Sequence, residues 1–251
     1  MITLYGAGEG FGLPEISPYV TKTEVQLKMA GLAYERARSW PQDAPKGQLP
    51  FIEHEGERIG DSTFIRLHLE DAFGLDFDEG LDARQRAEAW AVERMAENHL
   101  CWAVAYFRWL VPENFEKGPA HFFDDVPEPM RESLKAEILA QTEAGMRANG
   151  VARHSEPEIV AMALKSLASL SAILGDRAYL MGSRPCGADA TVFAVLAALY
   201  TPYFPCQLRT AALRFANLTA YCDRLMALFY PDFAWSALGA PVTPARSPVA
   251  A

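Results

Sequence analysis

The sequence predicts an α/β N-terminal domain followed by an all-α C-terminal domain, and three observations support this fold class. Strand-like runs alternate with helical segments from Ile2 to about Phe73, whereas the patterns after Leu81 are almost entirely helical. The stretch GLDFDEGLD between the two parts is acidic and contains two glycines, as expected of an exposed connection. The chain has 251 residues, 50% of them hydrophobic, which is enough for two cores. The predicted ranges are an N-terminal domain over residues 1–73, a helical domain over 82–231 and an irregular tail over 232–251.

The N-terminal domain begins with the order strand, helix, strand. The run ITLYGA is typical of a strand, and Ser17 before a proline marks the start of a helix over Pro18 to Met29, which Gly31 ends. The run YERARS predicts a second strand. Because a strand, helix, strand unit forms a right-handed parallel crossover, we expect both strands in one sheet.

A hairpin and a helix complete this domain. The segment LPFIEHEGERIGDS has apolar runs on both sides of Glu55-Gly56, which is the signal of a tight β-turn. A helical stretch from Thr63 to Ala72 follows. The predicted order of elements is therefore βαβββα.

Five helical segments are predicted in the second half. The most apolar of them, over 188–200, is shorter than the roughly 20 residues that a membrane-spanning helix needs. We therefore predict a buried core helix there and no membrane insertion. The five segments are Ala83 to Leu110, Met130 to Asn149, Glu156 to Leu174, Ala188 to Leu199 and Leu208 to Phe229.

Composition excludes several classes of partner and site. The formal net charge is -9 and the chain has no run of Lys and Arg, so we expect no nucleic-acid partner. The N-terminus MITLYGAGEG lacks the basic leader and long apolar stretch of a signal peptide, which predicts a cytoplasmic protein. The four cysteines have no CxxC spacing and no histidine at metal-ligand spacing, so we predict neither a disulfide framework nor a metal site.

The order βαβββα, the Ser-Pro start of the first helix and the later segment GQLPFIE together resemble the thioredoxin-like domain of glutathione transferases. The resemblance implies a cis Leu49-Pro50 peptide bond and a backbone contact between Leu49 and the cysteinyl part of glutathione. It also implies that an acidic-plus-serine pair holds the γ-glutamyl end. The glutathione-binding residues implied are Gln48, Leu49, Pro50, Asp61 and Ser62.

The pair Asp61-Ser62 has two interpretations. Amides at a helix N-terminus attract the γ-glutamyl carboxylate, and the Asp61 carboxylate can pair with the ammonium group of glutathione. Alternatively, the pair only caps the following helix, since Asp and Ser are both good N-cap residues. The presence of Pro50 in the expected place favours the glutathione interpretation.

Longer segments resemble one branch of this superfamily, that of the failed axon connections and metaxin proteins. The segments are SPYVTKTEVQLKMAGLAYE, KGQLPFIEHEGERIGDSTFI, ENHLCWAVAYFRW and LMGSRPCGADATVFAVLAAL, which together extend over both halves of the chain. The resemblance implies the two-domain glutathione transferase fold, a thioredoxin-like domain followed by an all-helical one.

Ser17 lies where omega-type transferases and glutaredoxins carry a reactive cysteine. A serine cannot form a mixed disulfide, and Val20 removes the second thiol as well, which disfavours thiol exchange. A hydroxyl at a helix N-terminus can instead stabilise the glutathione thiolate, as in serine-type transferases. Tyr5, at the end of the first strand, is the alternative, by analogy with tyrosine-type relatives. The long intervening loop, Gly6 to Ile16, leaves both assignments open.

The second substrate is expected between the domains. The long helix from Ala83 carries an apolar and aromatic stripe that usually forms core, and a histidine on such a face is usually hydrogen-bonded there. The alternative is a pocket for an apolar electrophile. The resemblance of ENHLCWAVAYFRW favours that pocket and assigns it His99, Trp102, Tyr106 and Arg108.

Three functions remain open from the sequence. The first is a glutathione transferase that conjugates glutathione to a small apolar electrophile, and the family implies a homodimer. The second is a non-catalytic interaction or sorting protein, because metaxin relatives serve membrane protein import. The third is a glutathione-binding sensor or carrier.

Overall fold

A four-stranded mixed sheet forms the framework of the N-terminal half. The strand order is β2-β1-β3-β4, with β1 parallel to β2 and antiparallel to β3, and β3 antiparallel to β4. The parallel pair is the predicted crossover. The strands are β1 (Ile2–Gly6), β2 (Tyr34–Arg38), β3 (Phe51–His54) and β4 (Glu57–Gly60).

The structure is a computed structural model that describes residues 1–235 and Ala237. The irregular tail predicted over 232–251 therefore lies mostly outside the described residues. The described part contains helices α1 (Pro18–Met29), α2 (Ser62–Phe73), α3 (Ala83–Met95), α4 (Cys101–Trp109), α5 (Pro112–Lys117), α6 (Met130–Asn149), α7 (Glu156–Leu174), α8 (Gly187–Tyr200), α9 (Gln207–Ala212) and α10 (Ala216–Phe229).

Helices α1 and α2 cover one face of the sheet. Alternation along β1 buries Ile2 and Leu4, while Tyr5 lies on the other face. Leu4 shares a buried cluster with Val20 of α1 and Ile65 of α2. This cluster fixes α1 against the sheet and so fixes the position of the residue at its N-terminus.

The register of the sheet brings three loops to the same end. Tyr5 pairs with Phe51, and Phe51 pairs with Gly60. The loop after β1, the loop before β3 and the turn after β4 therefore meet at one end of the sheet. The β3–β4 turn at the opposite end has both central residues in the left-handed region, Glu55 at φ 52° and Gly56 at φ 84°, as expected of the predicted tight hairpin.

The second half is all-helical around α8. All residues from Gly187 to Tyr200 are buried, in agreement with the predicted core helix. Asp189 is completely buried at the start of α8, where its carboxylate accepts hydrogen bonds from the amides of Leu180 (3.0 Å) and Cys186 (2.8 Å). The hydroxyl of Tyr221 also donates to it (2.8 Å), so this carboxylate ties together three segments of the helical half.

Two predicted helices differ from the structure. The segment Ala83 to Leu110 is interrupted by a π-helical turn over Ala96–Leu100. The segment Leu208 to Phe229 is two helices, α9 and α10, with Phe215 outside helical geometry at ψ 81°. The side-chain amide of Asn217, in the first turn of α10, donates to the carbonyls of Ser171 in α7 and of Gly175 directly after α7. The start of α10 is therefore fixed by a contact with α7, which is distant from it in the sequence. Helix α5 and the 3₁₀ turn Pro119–Phe123 were not predicted.

Helix α7 meets the length and hydropathy criteria for a membrane span, which core helices of soluble proteins also meet. Its apolar stripe is buried in the helical core. Members of that stripe are Ile159, Ala163, Leu167, Leu170 and Leu174.

A buried ion cluster joins the two halves. Lys22 of α1 is 1% exposed, and its ammonium group lies 2.8 Å from Glu93 and 2.7 Å from Glu97. Arg94 contacts both carboxylates at 2.7 Å, and Arg66 of α2 lies 3.4 Å from Glu93. Each charge in the cluster has a partner, which is the condition for a buried ion pair to be tolerated.

Replacing Lys22 tests how far the interface depends on this cluster. Lys22→Met leaves two buried carboxylates short of a cation, so we expect the free energy of unfolding to fall by about 3 kcal/mol. The matched control is Arg84→Met, because Arg84 is exposed and its one ion pair within the described residues is with Glu88. The control is expected to change stability by less than about 0.5 kcal/mol. Urea unfolding of both variants measures the two changes. Equal free energies of unfolding for Lys22→Met and Arg84→Met would show that the interface does not depend on Lys22.

Candidate functional site

Ser17 occupies the N-cap position of α1, but its hydroxyl does not cap the helix. The backbone has the expected extended geometry, with φ -89° and ψ 121°, and the carbonyl accepts from the Thr21 amide at 2.9 Å. The side chain makes no capping hydrogen bond, and it has no other hydrogen-bond partner in the part of the chain that the structure describes. Ser17 is half-buried, so this hydroxyl is available to a ligand.

Glu15 organises the loop that leads to Ser17. Its side chain is 2% exposed and accepts from the backbone amides of Gly8 (2.8 Å), Ser17 (3.0 Å) and Ala7 (3.3 Å). Burial raises the pKa of the Glu15 carboxyl, while the three amides and Arg36 (3.6 Å) act in the opposite direction. A single acidic residue in a glycine-rich loop has no recognisable pattern, and sequence reasoning missed it.

Tyr5 lies on the opposite face of the sheet from α1. Its ring stacks on Phe51, with ring centroids 4.2 Å apart, and its hydroxyl donates to Glu53 at 3.4 Å. Ser17 begins the helix that covers the other face. Of the two candidates for the sulfur contact, Ser17 has the free hydroxyl at the end of the sheet where the loops meet.

The segment before β3 lies at the same end of the sheet. The Leu49-Pro50 peptide bond is cis, and the Pro50 carbonyl accepts from the Asp61 amide at 3.2 Å. The backbone N–H and C=O of Leu49 form no hydrogen bond to another described residue. Leu49 is half-buried and Gln48 is exposed. An extended ligand backbone can therefore pair with Leu49 as an added strand would.

Asp61 and Ser62 start α2 and differ in what they do there. Asp61 has φ 80°, and one oxygen of its carboxylate caps α2 by accepting from the Thr63 amide at 2.8 Å, while the other forms no hydrogen bond within the described residues. Ser62 is the first residue of α2 and is 4% exposed. Its hydroxyl forms no hydrogen bond within the described residues. The N-terminus of α2 therefore retains one free hydroxyl and the positive end of the helix dipole.

The four residues assigned to the second-substrate pocket face two directions. His99 bonds to the Ser166 hydroxyl of α7 at 2.8 Å, and Tyr106 packs against the helical core. Burial raises the pKa of Tyr106, and Glu156 at the start of α7 adds to the effect. Trp102 is half-buried. His99 and Tyr106 thus lie on the side of the helical core, as the core interpretation of the stripe predicts and the pocket interpretation does not.

Arg108 faces the opposite way, toward the loop before α1. Its Nη1 donates to the Ile16 carbonyl at 3.0 Å, and Ile16 directly precedes Ser17. Cys101 lies on the same helix face; burial raises the pKa of Tyr19 in α1, and the nearby Cys101 thiol adds to this effect. Arg108 is therefore the pocket residue that the structure brings next to Ser17.

The cysteines are free thiols, and none is poised as a nucleophile. Burial raises the pKa of Cys101 to about 11, and burial also raises the pKa of Cys186, Cys206 and Cys222. Within residues 1–235 and Ala237, no three His, Cys, Asp or Glu side chains are grouped as metal ligands.

Comparisons with known proteins agree with this architecture. A family profile described as "Glutathione S-transferase N-terminal domain" matches residues 18–114, and one described as "Glutathione S-transferase, C-terminal domain" matches residues 163–225. The chain is 32% identical to an isoprene-epoxide glutathione S-transferase of Rhodococcus sp. strain AD45, over 78% of this chain and 85% of the relative.

Two further relatives belong to the branch that the sequence segments resemble. The chain is 34% identical to Failed axon connections of Drosophila melanogaster over 75% of its own length, and spans 47% of that protein. It is 28% identical to human metaxin-1 over 94% of its length, and spans 52% of that protein.

Solved structures confirm the predicted fold class, a thioredoxin-like domain followed by a helical one. A glutathione S-transferase of Methylobacterium radiotolerans in complex with glutathione sulfonate matches with TM-score 0.60 and 21% identity, covering 96% of this chain and 97% of that one. A beta-etherase of Sphingobium sp. strain SYK-6 matches with TM-score 0.59 and 22% identity, covering 90% and 95%. At these identities the likeness concerns the fold.

Removal of the Ser17 hydroxyl tests whether it has a structural role. Because this hydroxyl forms no capping bond, we expect Ser17→Ala to change the free energy of unfolding by less than about 0.5 kcal/mol. The matched control is Ser155→Ala, since the Ser155 hydroxyl donates to the Glu158 carboxylate at the start of α7 at 2.7 Å, and the same carboxylate accepts from the Ser155 amide at 2.8 Å. The control is expected to lose about 1 kcal/mol in thermal or urea unfolding. A loss at Ser17 as large as at Ser155 would show that Ser17 is a cap after all.

Proposed function

Because this chain belongs to the glutathione S-transferase superfamily, in the branch of the failed axon connections and metaxin proteins, we propose that it binds glutathione and conjugates it to a small electrophile. The observation that carries the proposal is the free Ser17 hydroxyl at the N-terminus of α1. It lies at the end of the sheet where the unpaired Leu49 backbone and the start of α2 also lie.

Ser17 stabilises the glutathione sulfur as an anion. A free thiol has a pKa of roughly 8.5, so most of it is protonated at neutral pH. The Ser17 hydroxyl donates a hydrogen bond to the thiolate, and the positive end of the α1 dipole adds a favourable field. Both interactions are stronger with the thiolate than with the thiol, so both lower the pKa of bound glutathione.

The rest of glutathione is held along the same end of the sheet. Its cysteinyl backbone pairs with the unpaired N–H and C=O of Leu49, the residue before Pro50. Its γ-glutamyl carboxylate binds the Ser62 hydroxyl and the amides at the start of α2, and its ammonium group pairs with the Asp61 carboxylate. Gln48, exposed in the preceding loop, contacts the exposed side of the tripeptide.

The reaction is nucleophilic attack by the thiolate on an electrophilic carbon. The name of the Rhodococcus relative specifies an epoxide, which makes small epoxides a reasonable first electrophile to test on this chain. With an epoxide, the sulfur–carbon bond forms as one ring carbon–oxygen bond breaks, and the oxygen keeps the electron pair and takes up a proton. All atoms of both reactants remain in the product.

A non-catalytic role is the second candidate, and the relatives favour it specifically. The similarity to metaxin-1 extends over 94% of this chain, so both halves take part in the resemblance. An interaction protein keeps the fold but neither binds nor conjugates glutathione. A glutathione-binding sensor binds glutathione but does not conjugate it. Binding and turnover measured on one sample distinguish all three functions.

We further propose a cytoplasmic homodimer. Phe64 and Leu67 of α2 are 53% and 52% exposed, and Trp90 of α3 is 52% exposed. Arg94 stacks over the Trp90 ring and its Nη2 lies 3.5 Å from the Thr63 hydroxyl, which brings the two helices together at this surface. A second copy of the chain is the occupant that the family predicts for this apolar patch.

Glutathione titration followed by a conjugation assay tests the proposed function. Calorimetry is expected to show saturable binding, and the same sample is expected to turn over 1-chloro-2,4-dinitrobenzene or a small epoxide. Ser17→Ala is expected to keep glutathione affinity within about threefold while kcat falls about 10²-fold, because the lost hydrogen bond is made mainly to the thiolate. The thiolate absorbance of bound glutathione at neutral pH is expected to fall in the same variant.

Tyr5→Phe is the control for this experiment, since the Tyr5 hydroxyl contacts Glu53 on the other sheet face. It is expected to leave kcat within about twofold of the wild type. A large loss in Tyr5→Phe with an active Ser17→Ala would move the sulfur contact to Tyr5. Glutathione binding without conjugation would support the sensor function, and absence of glutathione binding would support the interaction protein.

Mutation of the apolar patch tests the homodimer. A charge at its centre, Leu67→Glu, is expected to convert a dimer into a monomer, because a buried unpaired carboxylate at an interface is strongly unfavourable. The control is Leu228→Glu on α10, where the leucine is 49% exposed outside the patch. Sedimentation equilibrium measures the mass, and a monomeric wild type or a dimeric Leu67→Glu would contradict the proposal.

A further inference from the structure

Arg94 of α3 extends from the helical half to the first turn of α2. Its Nη2 lies 3.5 Å from the hydroxyl of Thr63, the residue directly after Ser62. The same nitrogen donates to Glu93 at 2.7 Å and lies 2.7 Å from Glu97. These contacts hold the guanidinium beside the N-terminus of α2, where the proposed function puts the γ-glutamyl end of glutathione.

One nitrogen of the Arg94 guanidinium remains available to a ligand. Nε is buried without a hydrogen-bond partner, and Nη2 is occupied by the contacts with Glu93 and Glu97. Nη1 forms no hydrogen bond to a described residue and, unlike Nε, is not closed to solvent. The side chain is 27% exposed, and the Trp90 ring covers one face of the guanidinium, with Cζ 4.4 Å from the ring centroid. An anion can therefore reach the N–H groups of Nη1.

The two carboxylates next to Arg94 are shared with a second cation. The buried Lys22 ammonium group lies 2.8 Å from Glu93 and 2.7 Å from Glu97. Lys22 and Arg94 together therefore balance the charges of the two carboxylates. A ligand anion at Nη1 of Arg94 meets no excess of negative charge from these four groups, so its attraction to the guanidinium is retained.

The N-terminus of α2 supplies the other groups of this site. Ser62 is 4% exposed, and its hydroxyl forms no hydrogen bond to a described residue, yet the oxygen itself is not closed to solvent. A buried side chain with an unpartnered hydroxyl at a helix N-terminus indicates that a ligand anion binds there. One oxygen of the Asp61 carboxylate caps α2 through the Thr63 amide, and the other forms no hydrogen bond within the described residues. This second oxygen suits an ammonium group.

We propose that Arg94 binds the α-carboxylate of the γ-glutamyl group together with Ser62, while Asp61 binds the ammonium group. This inference rests on the proposed binding of glutathione and adds a residue of the helical half to that site. Because Arg94 belongs to the helical half and Ser62 to the N-terminal half, the bound γ-glutamyl group bridges the two halves. The site therefore selects γ-glutamyl compounds that carry both charges.

Two ligands that differ by one carboxylate test this selection. Reduced glutathione is compared with 4-aminobutanoyl-cysteinylglycine, which keeps the ammonium group, the thiol and the glycyl end but lacks the α-carboxylate. Calorimetric titration of the wild type is expected to give at least about tenfold tighter binding of glutathione, as hydrogen bonds to a charged carboxylate imply. Equal affinities for the two ligands would overturn the proposal.

The variant Arg94→Met assigns the carboxylate contact to this residue. It is expected to weaken glutathione binding at least about fivefold while leaving the affinity for the analogue within about twofold, because the analogue has no carboxylate to lose. Arg94→Lys, which keeps a cation beside Glu93 and Glu97, is expected to bind glutathione with an affinity between those of the wild type and Arg94→Met. The exposed-site control Arg84→Met is expected to stay within about twofold of the wild type for both ligands. Equal weakening of both ligands in Arg94→Met would show that Arg94 only supports the fold, and would overturn the proposal.

The same titrations, combined with the conjugation assay, separate this inference from the transferase function. If glutathione binding depends on the carboxylate and on Arg94 as expected but no conjugation occurs, the transferase function fails and the inference stands. If glutathione is conjugated and Arg94→Met binds it as tightly as the wild type does, the transferase function stands and the inference is wrong. A wild type that does not bind glutathione would overturn both.

Discussion

The buried contact of Lys22 with Glu93 and Glu97 is the interaction on which the geometry of the site depends. It fixes α1, which carries Ser17 at its N-terminus, against α3 of the helical half. Ser17 is supplied by the N-terminal half and Arg108 by the helical half, and neither half alone brings them together. Lys22, Glu93 and Glu97 are all buried, whereas Arg94 at the edge of the cluster is 27% exposed. Removal of a charge from this cluster is therefore expected to shift the N-terminal half, which carries Ser17, relative to the helical half.

One carboxylate and two arginines near the N-terminus of α1 determine how well a thiolate is stabilised there. Glu15 holds the loop by accepting three amides, including that of Ser17, and its negative charge would oppose a nearby sulfur anion. Arg36, 3.6 Å away, offsets part of that charge, and the buried Arg108 is a further cation beside the same loop. The loop therefore gains its rigidity from a carboxylate, while two arginines keep the surroundings suitable for an anion.

Much of the fold could be predicted from the sequence because local patterns determine it. The Ser-Pro helix start, the Glu55-Gly56 turn and the apolar core helix need only neighbouring residues. The break between α9 and α10 depends on Asn217 binding the end of α7, which no local pattern reveals. The site was harder, because its contacts join segments that are distant in the sequence. His99 and Arg108 are nine residues apart, so ordinary helical spacing places them on opposite sides of a helix, and the resemblance that assigned both to one pocket did not separate them. The contact of Arg108 with the Ile16 carbonyl has no local sequence signal.

A crystal structure of the protein with glutathione tests the central claim most directly. The claim is that the Ser17 hydroxyl holds the glutathione sulfur at the end of the sheet where the three loops meet. The account predicts the sulfur within about 3.5 Å of Ser17 Oγ, a distance typical of a hydrogen bond to a thiolate, with the cysteinyl backbone along Leu49 and the γ-glutamyl end at Ser62. Glutathione with its sulfur beside Tyr5, or bound away from this end of the sheet, would contradict the account.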